Sequence, residues 1–179
     1  KHAIELGCNS NKVFMKYGTC LLQENKIEES IVFNLKELEI EPNELNANFN
    51  LGLAYYKIHN FEKAQIYAEK ANEIQSDSHR KQLLGLIYYE KYLFKDAYTY
   101  MFKAYKERPN DDIICSNLGM ILKAQGSYKK SEYYLQKAIK LNPNREVAHV
   151  TLGALLINLG KIKDAKKHLI EATKINPNI

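Results

Sequence analysis

DIICSNLGMILKAQGSYKKSEYYLQKAIKLNPNR, residues 112–145, is followed directly by EVAHVTLGALLINLGKIKDAKKHLIEATKINPNI, residues 146–179. The two stretches superimpose without a gap. Leu118-Gly119 falls on Leu152-Gly153, Gly126 on Gly160, Ala138 on Ala172 and Asn142-Pro143 on Asn176-Pro177. Apolar residues recur at helical spacing on both sides of the inner glycine, as in Leu118, Ile121 and Leu122, then Leu135, Ala138, Ile139 and Leu141. Each stretch therefore reads as two helices joined at a glycine turn. A proline stops the second helix, because it lacks an N–H and clashes with the preceding turn.

The same pattern extends back through the chain. Gly18, Gly52, Gly85, Gly119 and Gly153 are spaced 34, 33, 34 and 34 residues apart, and Pro42, Pro109, Pro143 and Pro177 each follow one of these glycines by 24. A period of this length marks an array of helical hairpins that bury a continuous core between neighbours. The expected architecture is all-α, a single solenoid domain with repeats 11–44, 45–77, 78–111, 112–145 and 146–179. Its ten helices are expected near 12–24, 28–41, 46–58, 62–75, 79–91, 95–107, 112–124, 128–141, 146–158 and 162–175. Residues 1–10 read as the end of an upstream repeat. Ala3 and Leu6 keep the register, and His2-Ala3-Ile4-Glu5-Leu6 resembles Lys137-Ala138-Ile139-Lys140-Leu141.

Within the period, the glycine is position 8 and position 20 is always small: Ser30, Ala64, Ala97, Ser131, Ala165. A helical glycine costs roughly 1 kcal/mol against alanine. Its recurrence implies that the two helices touch where glycine meets the small residue. Position 27 is Ala71, Ala104, Ala138 and Ala172, but Glu37 in the first repeat, which is thus the least regular. Asn25, His59, Tyr92, Gly126 and Gly160 occupy the turn at position 15. A tyrosine there suggests a different turn in repeat three. Leu169, Ala172 and Ile175 are expected to lie bare on the last helix, favouring end-to-end self-association through uncapped terminal repeats.

Composition limits function further. The 26 Lys and Arg outnumber the 21 Asp and Glu, for a net charge of +5. The excess lies in residues 112–179, with 11 basic against 5 acidic residues. It includes Lys129, Lys130, Lys161, Lys163, Lys166 and Lys167 on second helices or the turns before them, a solvated surface or a site for an acidic partner. No apolar run approaches the roughly 18 residues of a membrane-spanning helix, so no membrane insertion is expected. Cys8, Cys20 and Cys115 have neither zinc nor redox spacing and favour a reducing, cytoplasmic setting. No phosphate loop, nucleophile elbow or metal motif occurs, and the five histidines are scattered, so neither a catalytic role nor a cofactor or metal is expected. His149, on a mostly apolar helix, reads as a packed residue.

Leucine at position 7, glycine at 8, small residues at 20 and 27 and proline at 32 resemble the tetratricopeptide repeat family over residues 11–179. Repeat two fits through Leu51, Gly52, Tyr55, Ala64 and Ala71, with Ser76 in place of proline; repeat five fits through Leu152, Gly153, Leu156, Ala165, Ala172 and Pro177. Position 4 departs, holding Phe14, Asn48, Lys81, Cys115 and His149 where the family has a large residue. The resemblance implies a right-handed superhelix whose first helices line a concave groove. It implies a non-catalytic scaffold for a peptide or partner helix. The alternative is the substrate-recruiting region of a larger enzyme, such as a glycosyltransferase similar to O-linked N-acetylglucosamine transferase.

The groove positions hold Phe49, Asn50, Leu53, Tyr56, Tyr89, Asn117 and Met120 as candidate partner-binding residues. The family's clamp for a C-terminal carboxylate would fall on Met15, Thr19, Asn50, His79 and Leu83, of which Asn50 alone matches. That argues against a heat-shock-protein tail. The family's asparagine ladder at position 6 is met by Asn50 and Asn117 but not by Lys16, Leu83 or Thr151. An amide there can donate to and accept from a peptide bond. Repeat three is rich in rings: Tyr88, Phe94 and Tyr105 read as core, and Tyr89 beside Tyr56 as binding. Nucleic acid is not expected, since the related pentatricopeptide arrays lack the glycine and alanine pattern and the basic residues lie mainly outside the groove.

Overall fold

The structure is a computed structural model that describes residues 13–177. Over these residues the apolar periodicity becomes ten α-helices and no strand. They are α1 (Val13–Gln23), α2 (Ile27–Ile40), α3 (Leu45–Lys57), α4 (Phe61–Ile74), α5 (Ser78–Glu90), α6 (Phe94–Glu107), α7 (Asp112–Ala124), α8 (Tyr128–Leu141), α9 (Glu146–Asn158) and α10 (Ile162–Ile175). Every bound lies within one residue of the expected one. The half-repeat expected at residues 1–10 lies outside the described residues.

The chain divides into two compact units, Lys1–Ile87 and Tyr88–Ile179, with the boundary inside α5. In the first unit α1 packs on α2, α2 on α3 and α3 on α4, while α1 also meets α3. In the second, α6 to α10 pack in succession and α7 also meets α9. Within each unit first helices thus lie side by side, and α2 and α8 each wedge between their own first helix and the next. A core of Cys115, Leu135, Ala138, Ala148, Leu152, Leu155, Leu156 and Ala165 fills the second unit.

Position 8 lacks a Cβ because a second-helix side chain occupies that space. A Cβ on Gly153 would stand 2.7 Å from the Leu169 side chain, and one on Gly52 would stand 3.1 Å from the Ala68 backbone nitrogen. On Gly119 it would collide with Leu135, and on Gly18 with the Asn34 amide. The residue opposite the glycine is therefore position 24, not the small position 20 expected from the pattern. Position 20 is fully buried beside it, and where it is serine it supports the glycine's carbonyl. Ser30 Oγ donates to Gly18 O and Ser131 Oγ to Gly119 O, each at 2.7 Å.

Each hairpin turn has the same construction. Asn25, His59 and Tyr92 have φ near 60°, and Gly126 and Gly160 near 73°. The N–H of the following residue donates to the carbonyl five residues back, as in Leu93 to Tyr88 and Ser127 to Leu122, both at 2.9 Å. Such a motif closes a helix by satisfying its last carbonyls. Repeat three is no exception, contrary to expectation. Tyr92 adopts the left-handed conformation at a cost of about 1–2 kcal/mol, and its ring stands edge-on to Phe94 as His59 does to Phe61.

Two other irregularities have physical reasons. Glu37 is buried, and its carboxylate accepts the Met15 N–H at 3.1 Å, capping the first turn of α1 from the partner helix. An anion is favourable at that helix end. At position 4, polar side chains donate to the carbonyl of the proline six residues earlier. Asn48 Nδ2 reaches Pro42 O at 3.3 Å, His149 Nε2 reaches Pro143 O at 2.9 Å, and Cys115 Sγ reaches Pro109 O at 3.7 Å. The departure from the family pattern at position 4 thus becomes a lock on the loop between repeats.

On α10, Ala172 is buried and Leu169 and Ile175 are half-buried, against the expectation that all three lie bare. Leu169 covers Gly153. Ile162 and Ile170 are the exposed apolar residues of that helix.

Gly119→Leu is expected to lower stability by about 1–3 kcal/mol, since the new side chain must displace Leu135. Adding Leu135→Ala should recover part of the loss. Thermal melts of parent, single and double variants measure this, and an additive pair of losses would mean the two positions do not meet.

Candidate functional site

Among the described residues no group of three or more His, Cys, Asp or Glu could hold a metal, and no helix is long and apolar enough to cross a membrane. The grouping nearest to site chemistry is the pair His149 and His168, whose Nδ1 atoms are 3.2 Å apart. A carbonyl can only accept, so His149 Nε2 carries a hydrogen for Pro143 O. In neutral His149 the Nδ1 is then an acceptor, and His168 Nδ1–H donates to it. Burial pushes the His168 imidazole below its ordinary value, helped by His149 and Lys167 against the opposing pull of Asp164. The pair joins α9 to α10 and serves packing.

The first-helix faces are the remaining candidate. On α3, Leu53 packs against a small cluster of Leu22, Ile27 and Ala54, and Tyr56 is half-buried with its ring 6.0 Å from that of Phe61. Phe49 is half-buried, and the Arg80 guanidinium lies over its ring at 5.7 Å. Arg80 is itself held by Asp77, which also caps the Arg80 N–H at 3.0 Å. Asn50 is buried and its amide nitrogen donates to Thr19 Oγ1 at 2.8 Å and Asn34 Oδ1 at 3.2 Å. Half of the expected asparagine ladder thus ties α3 to α1 and α2.

In the second unit, Tyr89 is half-buried with its ring 5.7 Å from that of Phe94. Burial pushes its phenol upward, with Glu90 and Tyr92 adding to the effect, so it remains a protonated hydroxyl at neutral pH. Asn117 and Met120 lie on α7, Asn117 buried to 8 % exposure and Met120 half-buried. Of the rings read as core in repeat three, Tyr88 is buried and stacks on Tyr100 at 5.4 Å. Tyr105 packs against the second unit's core, whereas Phe94 is half-buried beside Tyr89 and Tyr92.

Tetratricopeptide repeat family models match residues 45–78 and 122–179. The chain belongs to the tetratricopeptide repeat family. Its all-α fold is that of other tetratricopeptide proteins. YrrB, described as a TPR protein with an unusual peptide-binding site, is 21 % identical with a TM-score of 0.77, over 98 % of this chain and 91 % of that one. MamA from Desulfovibrio magneticus RS-1 is 17 % identical with a TM-score of 0.82, over 95 % of this chain and 97 % of that one. PilF from Pseudomonas aeruginosa is 20 % identical with a TM-score of 0.80, over 93 % of this chain and 76 % of that one. No curated protein sequence matches. At these identities the likeness is one of fold.

Tetratricopeptide position rules name candidate positions on the first helices but not the bonds those residues make. Thr19, Asn34 and Arg80 were outside the expected set, although each engages one of its members. Thr19 and Asn50 are 31 residues apart and meet because first helices of adjacent repeats lie side by side.

Stability is expected to fall with acid through His168. The unfolded imidazole takes its proton near 6.5 and the folded one at lower pH. Between those values the unfolded chain holds more protons, so the contribution is complete above pH 6.5 and is lost as pH falls through the folded value. His168→Asn, which keeps a donor toward His149, should show a smaller drop in melting temperature between neutral pH and pH 5. An equal drop in both proteins would rule His168 out as its source.

Proposed function

We propose that this tetratricopeptide repeat protein is a non-catalytic interaction scaffold whose first-helix faces bind a peptide or partner helix. The carrying observation is that each unit, taken by itself, sets half-buried apolar and aromatic side chains at positions 9 and 12: Leu53 and Tyr56 in the first, Tyr89 and Met120 in the second. Side chains in that state offer large contact area with little conformational entropy left to lose. Phe49 adds apolar surface beside Arg80. Asn117 is the amide best suited to a ligand's peptide bond, because none of the described residues hydrogen-bonds its side chain. Asn50, with its NH₂ engaged, contributes an acceptor oxygen. The peptide-binding site ascribed to YrrB supports this reading by likeness of fold.

The test begins with a partner recovered by the full chain and confirmed in a purified pair. Tyr89→Ala or Tyr56→Ala should cost at least about 2 kcal/mol, roughly a thirtyfold loss of affinity by calorimetry. Lys166→Ala with Lys167→Ala, on α10, should leave affinity unchanged. The opposite pattern would mean that the partner does not use the first helices.

A further inference from the structure

The second helices α6 and α8 carry a surface that the scaffold reading does not use. Tyr98, Phe102, Tyr133, Tyr134, Lys129 and Lys130 line an open groove of about 420 Å³. Tyr98 stacks on Phe102 at 5.4 Å, Phe102 on Tyr105 at 6.0 Å, and Tyr134 stands edge-on to both Tyr105 and Tyr133. This is a continuous aromatic ladder across two repeats. Tyr134 is pushed up to about 12 by burial, with neighbouring Tyr105, Tyr98 and Tyr133 adding to it, so its hydroxyl stays protonated at neutral pH.

Cations border the ladder. Lys106 lies over Phe102 at 5.3 Å, and Lys137 lies over Tyr105 at 4.8 Å and donates to its hydroxyl. Lys129 and Lys130 are exposed at the mouth, and among the described residues no carboxylate forms an ion pair with either. Both stand in the first turn of α8, which contains no acidic residue. Positive charge there opposes the helix dipole and costs stability. An arrangement with that cost, beside a groove of rings, complements a ligand that brings negative charge and an apolar group together.

We infer that the α6–α8 groove is a second docking surface, for an acidic protein segment that seats an aromatic or large apolar side chain among Tyr98, Phe102 and Tyr133 and sets carboxylates against Lys129 and Lys130. Single-stranded nucleic acid also joins rings to cations, but it needs open ring faces on which bases stack. Phe102 lies between Tyr98 and Tyr105 with Lys106 also over it, and Lys137 covers Tyr105. Tyr133, 58 % exposed among the large apolar residues, is the main ring left to a ligand. One accessible ring and two free ammonium groups suit a single anchor with flanking carboxylates.

The experiment is an amide-resolved NMR titration of the full chain with a short peptide of glutamates around a central phenylalanine. Oligouridylate of equal length and phosphatidylserine-containing vesicles are titrated beside it. The peptide should shift amides of α6 and α8. Lys129→Glu with Lys130→Glu, and separately Tyr133→Ala, should each weaken binding at least about tenfold. Lys166→Glu with Lys167→Glu, an equal charge change on α10, should leave it unchanged. Matching spectra away from the substitutions would establish that each variant is folded. Absent shifts, shifts on the first helices, or shifts spread over every lysine-bearing helix would overturn the inference. So would equal loss in the α10 variant, or tighter binding of oligouridylate or vesicles.

Discussion

A second-helix side chain can press against the first helix only where that helix has no Cβ, and the hairpins of this protein depend on that fact. Asn34, Ala68, Leu135 and Leu169 differ in size and polarity, yet each occupies the space opposite a glycine. The glycine's helical cost is offset by burial of the opposing side chain, which reaches the core without prying the pair apart. Small residues at positions 20 and 27 keep the rest of the contact close. The amide Asn34 can stand in place of a leucine because its Nδ2 donates to Ser30 O at 2.8 Å, so no polar group is left unpaired.

The loops between repeats are held by a different set of bonds. Position 4 reaches back to the carbonyl before it, and the ends of hairpins are tied by polar pairs. Asp112 accepts from Asn142 at 3.0 Å and from Arg145 at 2.6 Å, while Glu146 accepts from Asn176 at 3.1 Å. Burial would raise the Asp112 carboxyl, but the bonds from Arg145 and Asn142 outweigh it and hold the group below the usual carboxylate range. Apolar packing sets the spacing within a hairpin, and charge-assisted bonds fix the loops between hairpins.

The fold was legible because several of its requirements act on single residues. A turn in the left-handed region, a helix without a Cβ and a stop at proline each leave a mark at a fixed interval. The residue that meets the glycine was not legible, since it depends on how far one helix is rotated against the other. Tyr92 misled because a left-handed tyrosine is costly, and the cost is borne by the rest of the turn. The candidate face was legible only as a set of positions. That Asn50 is bound to Thr19, or that Tyr105 meets Tyr134, depends on contacts about one repeat away in sequence, which no local pattern records.

Cys115 gives the array a built-in chemical clock. Its side chain is wholly buried, it holds the Pro109 carbonyl, and burial pushes its thiol up to about 11, so in the closed protein it is both shielded and unreactive. Cys20 is exposed. An alkylating reagent that consumes Cys20 at once must wait for repeat four to open before it reaches Cys115, because thiolate character and access together set the rate. The slow step then counts excursions of the loop at Pro109, turning a substitution at the family's bulky position into a native reporter of breathing between repeats.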